Sequence, residues 1–157
     1  MLTFNHLENF ILNIAPLHYP CKEAPNTFEE LKQVNKDKVL LLPVFSGGCA
    51  NTIWSNPKVN HALRAWHDDI HLEYDYDFSL YGEISTARKH IEVLRKNHLG
   101  VFSNLFWCEI VGQVLYYNKH KKYVSNQREF VLLLLCHGVK VGDIGVINNI
   151  LDNIGEV

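Results

Sequence analysis

Apolar residues recur at helical spacing along most of this chain. Near its start Phe4, Leu7, Phe10, Ile11 and Ile14 fall on one stripe, and Pro16 closes it. Residues from Tyr19 through Pro20 and Cys21 to Pro25 read as a loop. Thr27 and Glu30 then stand in the Thr-x-x-Glu order of a capping box, which predicts a short helix ending near Asn35. The run KVLLLPVF, 38–45, is the strong strand-like segment, and its proline predicts an edge strand or an extended buried stretch. Ser46-Gly47-Gly48 reads as a plain turn, because two glycines with no following lysine do not make a phosphate loop.

From Asn56 onward the pattern is helical almost throughout. Asn56 followed by Pro57 is an N-cap with proline in the first turn. Val59, Leu63, Trp66, Ile70 and Tyr74 mark the apolar stripe of the helix that follows. The stretch from Glu73 to Asp77 reads as a turn, and a second helix is predicted from about Phe78 to Asn97, with Gly100 as its stop. A third, capped by Ser103 or Asn104, carries Leu105, Phe106, Cys108, Ile110, Val114 and Leu115 into the basic cluster near His120. Two more are predicted, over about 125–137 with Gly138 as the stop, and from about 141 with Ile144, Ile147, Ile150 and Leu151 inward. The expected fold is mainly α: a single-domain helical bundle over 1–157, with an irregular N-terminal third holding one short extended segment.

Composition narrows the function classes. With 15 Lys and Arg against 17 Asp and Glu, the net charge of −2 gives no footprint for a nucleic-acid backbone. The four cysteines are scattered with no CxxC pair, which fits reduced thiols and a cytoplasmic protein. The N-terminus lacks the basic leader of a signal peptide, and no apolar run reaches the length of a membrane span.

The chemistry concentrates in WHDDIHLEYDYDFSLYGE. His67 and His71 are one helical turn apart, so both imidazoles leave one helix face. Trp66 and Ile70 place that face inward. Glu83, near the start of the next helix, offers a carboxylate to complete two nitrogens and an oxygen, a set that suits zinc or ferrous iron. The simpler alternative is a pair of hydrogen-bonded core histidines. Asp68 is a further ligand, an orienting group for a histidine, or a catalytic carboxylate. Asp69 points elsewhere and reads as solvated. Arg64 either pairs with Asp68 or holds an anionic substrate, and Trp66 is a candidate substrate wall with Tyr74, Phe78 and Trp107. Gly82 leaves space beside Glu83. Glu109, in an apolar setting, is a candidate acid or base; His61 and His90 share faces with the motif at two-turn spacing. Ordinary structural roles compete for all three.

The order His67-Asp68-x-x-His71, eleven residues, Glu83 resembles the metal motif of the ubiquinone (coenzyme Q) biosynthesis protein four family, with Arg64 upstream and Gly82-Glu83-Ile84 at the end. The likeness covers about 25 residues. It implies a mainly helical protein holding a divalent metal, with His67, His71, Glu83 and Asp68 around it. It also implies a small aromatic or lipid-like substrate and peripheral contact with membranes; a second copy of the chain is a further possible partner. A looser likeness to HD-type phosphohydrolases or nucleases implies Asp68 as a ligand with help from His18 or His61 and Asp143. A third, to mononuclear iron hydroxylases, rests on the two-His-one-carboxylate set. A non-enzymatic helical interaction module with structural histidines is the reading from a different class.

Overall fold

The structure is a computed structural model describing residues 1–36 and 41–157. The chain is mainly α-helical, as its periodicity predicts. Its backbone groups into two compact units, Met1–Phe78 and Ser79–Val157.

The first unit opens with α1, Phe4–Ile14, which buries Leu7, Ile11 and, unexpectedly, Glu8. A short strand β1, His18–Cys21, follows where the sequence reads as loop. Helix α2, Phe28–Lys36, is capped as its sequence requires. The Glu30 N–H donates to Thr27 Oγ1 at 3.2 Å, while Glu30 Oε2 accepts the Asn26 and Thr27 N–H groups at 2.7 and 3.3 Å. Strand β2, Leu42–Phe45, pairs in parallel with β1, His18 opposite Leu42 and Cys21 opposite Phe45. The first residues of the predicted extended run, 38–40, lie outside the described residues. Pro43 is tolerated because each strand of a two-stranded sheet is an edge. The same property explains why β1 was hard to foresee: Pro20 breaks its pattern, and pairing with β2 imposes the extended form.

Helix α3, Pro57–Tyr74, is the spine of this unit, packed by α1, α2 and both strands. Asn56 caps it, its side chain accepting the Lys58 N–H at 2.9 Å. Phe10 meets Trp66 edge-on at 5.8 Å, and Phe4 stacks on Trp54 at 5.7 Å. Glu8 is 6% exposed and accepts both the N–H and the hydroxyl of Ser55, at 2.7 and 2.8 Å. A buried carboxylate thus fixes the start of α3 against α1.

The second unit begins with α4, Leu80–Lys96, capped by Ser79 Oγ, which accepts the Gly82 N–H at 3.1 Å. Its stop is not Gly100. His98 takes the left-handed conformation at φ 60°, and the Leu99 N–H returns to the Leu94 carbonyl at 2.8 Å. Gly100 instead opens a 3₁₀ turn, Gly100–Phe102.

The third predicted helix is three segments: α5, Ser103–Trp107; a π-helical turn, Cys108–Gly112; and α6, Gln113–His120. Neither predicted residue caps it. Ser103 lies inside, its hydroxyl donating to the Gly100 carbonyl at 2.6 Å, and Asn104 accepts the Val141 N–H at 3.1 Å. All five residues of the π turn are buried. Helix α7, Gln127–Cys136, ends at left-handed Gly138 as predicted. Helix α8 starts at Gly145, later than the pattern suggests, and runs to Asn153. The preceding residues form a turn in which Asp143 Oδ2 accepts the Lys140 N–H at 2.8 Å.

Candidate metal centre

Helix α3 presents His67 and His71 one turn apart, and their Nε2 atoms are 3.0 Å from each other. Two ligands held about 2.1 Å from one ion at about a right angle are about 3 Å apart. Glu83 stands in the first turn of α4. One ligand atom from each of His67, His71 and Glu83 lies within 4.8 Å of the others.

His71 is fixed more tightly than a surface histidine. It is fully buried, and its ring packs edge-on against Phe78 at 4.8 Å and beside Phe28 at 6.3 Å. Its Nδ1 lies 2.7 Å from the Tyr76 carbonyl. A carbonyl only accepts, so Nδ1 carries the proton and neutral His71 keeps the Nε2 lone pair for an ion or for an N–H of His67. The turn that supplies this carbonyl depends on Asp75, left-handed at φ 54°.

The remaining predicted residues stand outside that group. Asp68 is partly buried and brings no ligand atom into the His67–His71–Glu83 group. Asp69 is partly buried rather than solvated, and its carboxyl is pushed up by burial and by the Glu73 charge. Arg64 donates from one guanidinium nitrogen to the carbonyls of Phe45 and of Gly47, the latter at 2.7 Å, so it staples a loop to α3. Trp66 packs into the core on Phe10, and Tyr74 stacks on Tyr76 at 5.7 Å. Of the aromatic residues read as pocket wall, Phe78 packs against the ring of His71.

In the second unit, Trp107 donates its indole N–H to the Asp143 carbonyl at 3.3 Å and lies beneath Arg88. Glu109 is buried in the π turn, and His90 is buried against Phe106 at 5.5 Å. Cys108, next to Glu109, has its thiol pushed up to about 12 by burial and by the charges of Glu109 and Asp143. Among the described residues, the candidate metal group holds none of His18, His61 and Asp143.

Two features escaped sequence reading. The buried Glu8–Ser55 pair joins residues 47 apart, and no local pattern announces it. A contact between Cys49 and His61 likewise appears only once β2 and α3 are placed. No family model, curated protein or solved structure matches the chain. Among the described residues no helix is long and apolar enough to cross a membrane.

Proposed function

We propose that this chain is a divalent-metal protein, with His67, His71 and Glu83 as ligands and Asp68 acting from beside them. The observation that carries the reading is the pair of Nε2 atoms at 3.0 Å, with His71 held in the one tautomer that leaves its Nε2 lone pair available. The likeness to the ubiquinone-biosynthesis group supports a small aromatic or lipid-like substrate, and Phe28 and Phe78 supply apolar surface beside His71. A bound zinc or iron would act as a Lewis acid on a substrate oxygen. The protein residues orient the ligands and exclude water from the ring of His71.

The same 3.0 Å also fits an N–H···N hydrogen bond from His67 to His71, which favours a second reading as a structural histidine pair. Metal analysis of protein purified without chelator separates the two. The metal reading expects near-stoichiometric zinc or iron, lost in His71→Ala and reduced in Glu83→Gln. Equal, trace metal in all three proteins establishes the structural pair instead.

A further inference from the structure

A second constellation lies on the other end of α3. The chain leaves β2 at Phe45 and wraps through Gly47 and Gly48 to Cys49. A Cβ at Gly47 would stand 2.5 Å from the Phe45 ring, and Gly48 is left-handed at φ 67°. Three residues of α3 then grip it. Arg64 binds the carbonyls of Phe45 and Gly47. His61 Nε2 lies 3.3 Å from Cys49 Sγ, and Asn60 donates its side-chain N–H to the same sulfur at 3.3 Å. The thiol also faces the Gly47 and Ser46 carbonyls at 3.4 and 3.6 Å. Asn60 is buried, whereas Cys49 and His61 are both partly exposed.

We propose that Cys49 is a thiol-exchange site, with His61 as its proton acceptor and Asn60 as a donor to the sulfur. The reacting partner is a low-molecular-weight disulfide. The Cys49 thiol gives its proton to His61 Nε2 as Sγ attacks one sulfur of the disulfide. The new S–S bond forms, the old one breaks, and the departing thiolate takes the proton back from His61. Two electrons stay within the sulfur atoms throughout, so no further oxidant or reductant is consumed.

The arrangement suits sulfur exchange better than acyl transfer. The polar groups around Cys49 are a base, an N–H on the attacking sulfur and two carbonyls. The carbonyls offer no donor to the oxyanion of a tetrahedral intermediate, whereas in disulfide exchange the charge stays on sulfur, where the Asn60 N–H meets it. His61 is suited to the role of base. Burial first, then the Arg64 and His18 charges, lower its pKa against a backbone hydrogen bond with Ser46, which favours its neutral, proton-accepting form. The other thiols provide internal comparison: Cys136 is exposed, and Cys108 is buried and strongly protonated.

The test is reaction of the whole protein with oxidised glutathione at neutral pH, each cysteine followed by peptide mass spectrometry. Cys49 is expected to form its mixed disulfide at least tenfold faster than Cys136, although Cys136 is the more exposed. His61→Gln should slow Cys49 by about a hundredfold, the lower end of what a positioned base contributes, while Cys136 is unchanged. Faster reaction at Cys136 than at Cys49 in the unaltered protein overturns the proposal without reference to any variant. So does an unchanged Cys49 rate in a His61→Gln protein that melts normally.

Discussion

His71 and Tyr76 are bonded to each other twice. The Tyr76 N–H donates to the His71 carbonyl at 3.1 Å, and the His71 ring donates back to the Tyr76 carbonyl at 2.7 Å. The first bond is the closing bond of the helix; the second sets a side chain. The end of α3 and the tautomer of its last histidine are therefore one structural event, pivoting on left-handed Asp75.

Asp75 is consequently a control point. Asp75→Gly accepts the left-handed conformation and should keep or slightly raise stability, by up to about 1 kcal/mol. Asp75→Ile should cost about 1–3 kcal/mol, because a β-branched residue resists that conformation. It should also weaken zinc binding about tenfold or more by releasing the ring of His71. Thermal melts and zinc titration calorimetry of both variants check the pair of outcomes.

Glu8 should prove important to the first unit. Glu8→Ala leaves the Ser55 N–H and hydroxyl beneath α1 without their acceptor and should cost about 2–3 kcal/mol. Glu8→Gln keeps one acceptor oxygen and should cost less. Urea unfolding of the three proteins, with unchanged m, measures the difference.

Gly112 of the π turn faces Leu134 and Phe130 of α7. A Cβ there would stand 2.5 Å from Leu134 Cδ1, and Leu134 is fully buried. Gly112→Ala should therefore destabilise by about 1–3 kcal/mol, against the usual gain from replacing a helical glycine. Gly112→Ala combined with Leu134→Val should recover part of the loss in the same denaturation assay.

Glu92 should shape the acid limb of the stability curve. Hydrogen bonds from Lys96 and Lys89 lower its carboxyl to about 2. A lowered carboxylate favours the folded state above its ordinary range near 4.5, and that contribution fades as pH falls through about 2. The stability difference between the unaltered protein and Glu92→Gln should thus be largest near neutrality and vanish in strong acid. The group is exposed, so the difference should also shrink in high salt.

Local features of the chain were readable because their determinants are local. Thr27 with Glu30, Asn56 with Pro57, and Gly138 each act on neighbours within a turn. His67 and His71 belong to the same class, since an interval of four residues fixes a shared helix face. His98 was not foreseen as a stop because Gly100 carries the stronger stop signal in the sequence, and there the return bond of Leu99 to Leu94 decides the matter. Arg64 was readable as a cation beside a carboxylate, but its partners are backbone carbonyls of a loop, and backbone carries no sequence signal. The Cys49–His61 contact has neither a spacing rule nor a shared element. It arises from the fold of β2 onto α3, as does the burial of Glu8.

The parallel pairing of β1 with β2 has a kinetic consequence. His18 and Leu42 must meet across the whole of α2, and Glu8 must find Ser55 across 47 residues, so both contacts wait on closure of long loops. The bonds among His67, His71 and Tyr76 span only one helical turn and close as soon as α3 winds. The histidine geometry thus rests on contacts of low sequence separation and the thiol loop on contacts of high separation, and loop-closure entropy favours the former forming first.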